Sequence, residues 1–179
     1  MDITHLIMDE HQQQRRLFAQ IDDIDPGDTE ALSALWTRLK NLLDAHAEAE
    51  EQFFYPRLME IGKGGNDAPS AEEETEDAID DHNDIRDTGE AVDKCAVGSK
   101  QWFAAVGKCN KANSDHMAEE ERQGLTDFRK QATLQERHDL GVKFAAFEAQ
   151  HLDGVKVVDK DVDAYLANPR GYMKEHASS

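Results

Sequence analysis

His46-Ala-Glu-Ala-Glu50 and His116-Met-Ala-Glu-Glu120 are the two stretches that decide how this chain folds. Each is an H-x-x-x-E. On an α-helix, residues four apart share one face a single turn apart, so each stretch presents an imidazole and a carboxylate in the same direction. A lone histidine precedes each stretch, His11 before the first and His82 before the second. The second set follows the first by 71 residues at the lone histidine and by 70 at the other two positions. Two histidines and one glutamate per half, supplied twice, make the donor set of a dinuclear metal site.

The flanking residues place both sets on helices. Breakers at Asp25-Pro-Gly-Asp28, at Gly62 to Pro69, at Val97-Gly-Ser99 and more weakly at Gly124 divide the chain into long segments with apolar residues at helical spacing. The first segment carries Ile3, Ile7, His11, Gln14, Phe18 and Ile21 on one stripe. The second carries Leu32, Leu35, Leu39, Leu42, His46, Ala49 with Glu50, and Phe53. The third carries Thr75, Ala78, His82, Ile85, Gly89 and Val92, and the fourth Trp102, Val106, Cys109, Asn113, His116 and Glu120. No stretch alternates with the period of a strand. The expected fold is all-α: an up-down-up-down four-helix bundle over residues 1–125. A C-terminal helical extension over 126–170 packs on it, with a helix from Leu134 to Leu152 and a short one near Asp159 to Tyr165, and a flexible tail covers 171–179.

Short turns make neighbouring helices antiparallel, so residues at equal distances from a turn lie side by side. By that count His11 and His46 face each other across the Pro26 turn, His82 and His116 across Gly98, and Glu50 and His82 across the Gly64 loop, each to within a turn or so. Two glutamates in a core layer are costly unless a cation or metal compensates them, and no Lys or Arg is read on these stripes at that level. Four imidazoles with two carboxylates suit a borderline first-row metal such as iron or manganese. The ferritin-like alternative needs two Glu-x-x-His pairs, and only Glu148-Ala-Gln-His151 has that spacing. Glu72 to Asp77 and, apart from Glu120, Glu119 to Glu121 read as solvated helix faces.

Composition narrows the partners. With a net charge of −18, the chain opposes nucleic acid phosphates and anionic lipid. No run approaches the ~20 apolar residues of a membrane span, and the N-terminus lacks the basic start of a signal peptide. The expectation is a soluble cytoplasmic protein with no nucleic acid or membrane partner. The two cysteines, Cys95 and Cys109, read as small core residues in a reducing compartment.

The ordered set of six positions, with His46-Ala-Glu-Ala-Glu-Glu51 running into Phe53-Phe-Tyr-Pro56, resembles the hemerythrin-like family, also called the HHE cation-binding domain, over roughly residues 1 to 125. The resemblance implies that His11, His46, Glu50, His82, His116 and Glu120 bind two iron ions in an oxo- or hydroxo-bridged centre, with Glu50 and Glu120 as bridging carboxylates. Oxygen-carrying members have one more histidine a turn away on the third helix, where this chain has Ala78 and Arg86. One iron is thereby short of a nitrogen. Tyr55 is a candidate phenolate to complete its shell, beside water, hydroxide or Glu51. On a regular helix a residue five after Glu50 points about 140° away, so Tyr55 reaches inward only if the last turn before Pro56 is distorted.

The family is associated with oxygen binding, with sensing, and with reactions of hydrogen peroxide or nitric oxide. The absence of an appended signalling domain and a shell richer in carboxylate or phenolate than a carrier's favour a catalase- or peroxidase-like protein. The alternative is non-enzymatic binding or sensing of oxygen, nitric oxide or iron.

Overall fold

The computed structural model describes residues 1–64 and 70–176, and every regular element among them is helical. Helix α1 spans Ile3–Asp22 and begins where the Asp2 side chain accepts from the Thr4 backbone N–H. Helix α2, Thr29–Ala49, starts at the cap Asp28 and runs without interruption through a π-helical turn, Glu50–Phe54, into α3, Tyr55–Ile61. Ser70 caps α4, Ala71–Asp93, and Ser99 caps α5, Lys100–Arg122. Helix α6, Gly124–Gln131, extends beyond a break at Gln123, and α7, Leu134–Gln150, opens with a capping box between Thr133 and Glu136. Two short helices follow, α8, Val162–Ala167, and α9, Pro169–His176.

The breakers fall in the connections. At one end of the bundle the two tight turns touch: Gly98 has φ +77°, and a Cβ there would stand 2.2 Å from the Pro26 carbonyl oxygen. Only glycine combines that conformation with that approach. Of the expected break from Gly62 to Pro69, residues 65–69 lie outside the described residues.

Helix α1 packs on α2 and α5, and α4 packs on α5 and α2, which closes the antiparallel ring of four. Two hydrophobic clusters form the interior. One, around Leu17, Phe18, Ile21, Trp36, Leu39 and Trp102, fills the end beside the two tight turns; the other, around Ile7, Phe54, Leu58, Phe128 and Phe144, fills the opposite end. Between them lies a layer of buried polar groups that includes the histidines and glutamates of the two H-x-x-x-E stretches.

The stripes expected on α1, α4 and α5 are buried throughout. On α2 the inward face is set differently: Trp36 and Leu43 are buried, whereas Leu35 and Leu42 are half-buried. Trp36 can be buried because its indole N–H donates to Asp93 at 2.7 Å, which satisfies its single donor. Beyond Glu50 the π-helical turn carries one extra residue, so Phe54 and Tyr55 point inward and Phe53 is only half-buried.

The extension packs on the bundle. Helix α7 crosses the start of α1 so closely that a Cβ on Gly141 would lie 3.0 Å from the Ile3 backbone nitrogen, while Phe144 enters the core. Within the expected tail from residue 171, the described residues up to His176 form α9, Met173 is buried, and the Tyr172 hydroxyl accepts the Asp161 backbone N–H. Pro169 suits a helix start, since its fixed φ fits the first turn and its missing N–H costs nothing there. Residues 177–179 lie outside the described residues.

Candidate metal centre

Antiparallel packing brings His11 of α1, His46 of α2, Glu50 at the π-turn, His82 of α4, and His116 and Glu120 of α5 into the layer between the two apolar clusters. His11, His46 and Glu50 form one buried group able to hold a metal ion, and Glu50, His82 and His116 form a second, with all donor atoms of each group within 4.8 Å of one another. Glu50 belongs to both. Its Oε1 lies 3.1 Å from His46 Nε2 and its Oε2 lies 3.3 Å from His82 Nε2. His82 Nε2 and His116 Nε2 are 3.1 Å apart, and His11 Nε2 stands 3.3 Å from Glu120 Oε2.

These short distances are not a satisfied hydrogen-bond network. His11 Nε2, His46 Nε2, both oxygens of Glu50 and Glu120 Oε2 are buried without a hydrogen-bond partner. Native interiors rarely leave such atoms unpaired, and several in one layer require an explanation. A metal supplies one: with ligand bonds of about 2.1 Å at right angles, neighbouring donor atoms sit ~3 Å apart, which is the spacing seen here. The donor set of imidazole nitrogens and carboxylate oxygens suits iron.

A surrounding ring of carboxylates orients the imidazoles. His11 Nδ1 faces Glu121 at 2.9 Å, His46 Nδ1 faces Glu10 at 2.7 Å, and His82 Nδ1 faces Glu51 at 2.9 Å. Asp81 stands 3.4 Å from His116 Nδ1. A carboxylate at Nδ1 holds the proton there and turns the Nε2 lone pair inward, an arrangement typical of metal-bound histidine. Burial opposes charge on His46 and Glu50. Their mutual attraction outweighs it, holding the imidazole well above and the carboxyl well below their ordinary ranges. The bracing acids are harder to see in the sequence, although each is the immediate neighbour of a ligand candidate. Glu121 in particular departs from the expected solvated face: besides His11 it accepts from Arg15 at 2.8 Å.

The expectation of no basic group at this level is also corrected. Arg86, one turn beyond His82, is buried and donates to Glu51 at 2.6 Å. Lys160 reaches in from the extension, with Nζ 2.8 Å from Glu48 and 3.4 Å from Glu51. Burial would raise the Glu51 carboxyl, but Arg86, His82 and Lys160 hold it at about 2. Both cations serve Glu51 and Glu48; the ion pairs of Glu50 are with histidines.

Tyr55 is brought to the same layer by the π-turn. Its backbone N–H bonds to the Glu50 carbonyl, a five-residue step that closes about one full turn and stacks the two residues on one face. The distortion that inward pointing requires is therefore present. The Tyr55 hydroxyl is buried and donates to Glu120 Oε1 at 2.7 Å. Burial, then the charges of Glu120 and Glu50, hold this phenol well above its ordinary range.

The extension contributes a further group: Glu10, His46 and Glu148 could also hold a metal ion, although Glu10 and Glu148 are only partly buried. His151, the other half of the single Glu-x-x-His, points back to the Phe147 carbonyl at 2.7 Å. Of the two cysteines, both free, Cys109 is buried in the core, and burial pushes its thiol up to about 11. No described helix is long and apolar enough to cross a membrane.

No curated protein and no solved structure matches the chain. The family model of the hemerythrin HHE cation binding domain does, over residues 2–125, the span that contains all four histidines and both glutamates of the site. The bundle, the convergent His/Glu layer and this match together show that the chain belongs to the hemerythrin HHE cation-binding family, whose domains bind metal ions, typically iron.

Proposed function

We propose that this protein carries a non-haem di-iron centre that reacts with hydrogen peroxide or nitric oxide in a catalase- or peroxidase-like manner. The observation that carries the reading is Glu50, whose two unpartnered oxygens face one histidine of each half, while all four histidines are backed by carboxylates. His11, His46 and Glu50 would hold one iron and Glu50, His82 and His116 the other, with Glu120 and Tyr55 completing the set. Iron in such a shell supplies redox change and Lewis acidity toward a small molecule.

The remaining roles belong to the chain. Glu121, Glu10 and Glu51 keep the protons of His11, His46 and His82 on Nδ1, and Asp81 stands 3.4 Å from His116 Nδ1. Phe54 and Phe144 exclude water from one side of the layer. Tyr55 holds a proton at its hydroxyl against Glu120, and its service as a phenolate ligand requires that proton to leave. A shell rich in carboxylate favours the ferric state and suits oxidative reactions better than reversible carriage.

Elemental analysis tests the metal: about two irons per chain are expected, and His46→Ala and His116→Ala, one from each half, should each lose most of it. Full iron in both variants would remove the site. Oxygen evolution on peroxide addition tests the reaction, and an iron-loaded protein that leaves peroxide unchanged would make the centre one of non-enzymatic binding.

A further inference from the structure

Glu74 is a buried acid that the centre as described leaves without a role. It stands on α4 two turns before His82 and is only 7% exposed, against the expectation that Glu72 to Asp77 form a solvated face. Neither of its carboxyl oxygens has a hydrogen-bond partner. It lines a cavity of ≈ 20 Å³ whose walls also include Tyr55, Ala78, His116 and Glu120, so the cavity reaches the layer of candidate ligands. That volume exceeds the roughly 10–15 Å³ needed for one water. Small residues keep it open: Ala78 is one wall, and a Cβ on Gly124 would come within 3.3 Å of Glu74 Oε1. The outer lining is acidic, with Asp77, Asp81 and Glu119, and no Lys or Arg lines it among the described residues.

We propose that this cavity is the docking subsite for a neutral hydrogen-bonding molecule of two heavy atoms, the class of hydrogen peroxide, with Glu74 as its partner and the acidic rim as a filter against anions. The proposal rests on the di-iron reading, which makes the inner wall the reactive end. The small volume favours guests of only a few heavy atoms. The field of a rim without basic residues disfavours anions and leaves neutral molecules unaffected. Its two oxygens, without a partner in the fold, are free to hydrogen-bond such a molecule inside the cavity.

The test uses the full-length iron-loaded protein, with hydrogen peroxide and azide as probes. Glu74→Ala should retain its iron yet react with peroxide about tenfold more slowly, the worth of one buried hydrogen bond, while Glu74→Gln stays within about threefold of the parent. The double variant Asp77→Lys/Glu119→Lys, altered only at the exposed rim, should bind azide about tenfold more tightly, read from the optical spectrum, with peroxide rates changed less than about threefold. Glu74→Ala reacting at the parental rate, or azide affinity unmoved by the rim reversal, would overturn the subsite while leaving a full iron content and the di-iron reading intact. A parent protein that binds no iron would overturn both.

Discussion

Replacing Lys160 by Met should destabilise the metal-free protein by about 3 kcal/mol, at the lower end of the range for removing one partner of a buried ion pair. The lysine is 5% exposed and its Nζ lies 2.8 Å from Glu48 and 3.4 Å from Glu51. Glu51 keeps Arg86 and His82 after the substitution, so most of the loss falls on Glu48, which is 3% exposed and has its ion pair with Lys160. At ~2–4 °C per kcal/mol for a chain of this size, Tm should fall by about 6–12 °C, measured by far-ultraviolet circular dichroism. Because the cost comes from a stranded charge rather than from lost packing, Glu48→Gln added to Lys160→Met should restore most of it. Iron affinity should fall by less than the ~10–100-fold typical of losing a bracing carboxylate, since Glu51, which orients His82, keeps Arg86. A Tm change below about 2 °C, or no recovery in the double variant, would refute the view that the extension stabilises the centre through this pair.

Acid should act on the same network. A carboxyl near 4.5 in the unfolded chain and at about 2 in the fold contributes stability that is fully present above pH 4.5 and is lost as pH falls toward 2, and at ~1.36 kcal/mol per pKa unit the amount at stake in Glu51 is on the order of 3 kcal/mol. Urea unfolding of the metal-free protein between pH 5 and 2.5 measures it, with Glu51→Gln expected to flatten the decline; an equally steep decline in that variant would place the acid sensitivity elsewhere. Tyr55→Phe should keep most of its iron and lose any phenolate-to-ferric band, whereas an unchanged visible spectrum would leave Tyr55 as the hydrogen-bond donor to Glu120 that its 2.7 Å contact describes. His151→Ala should keep full iron, because its Nδ1 is engaged by the Phe147 carbonyl, and metal loss in a folded variant would draw the extension into the ligand set.

The helices and the six convergent residues are legible in the sequence because both obey short-range rules. Helical period puts His46 with Glu50 and His116 with Glu120 on single faces, and the Pro26 and Gly98 turns force antiparallel neighbours, so one layer can be inferred without coordinates. Local spacing could not show which carboxylates stand behind the imidazoles. Glu10 serves His46 from another helix and Glu121 serves His11 across the bundle, contacts that depend on helix rotation and crossing. Tyr55 shows the limit most clearly: a regular helix turns it away, and only the π-turn over Glu50–Phe54 faces it inward. Lys160 lies beyond the reach of any periodicity argument, since it becomes a partner of Glu48 only after residues 151–161 cross the bundle and Asn83 clamps its backbone at both N–H and C=O. The sequence by itself determined the period, the turns and the residue types of the candidate site, which are local properties of the chain. The tertiary structure alone decided how each buried charge is compensated and where a cavity reaches the centre, because both depend on groups that are distant along the chain and adjacent in space.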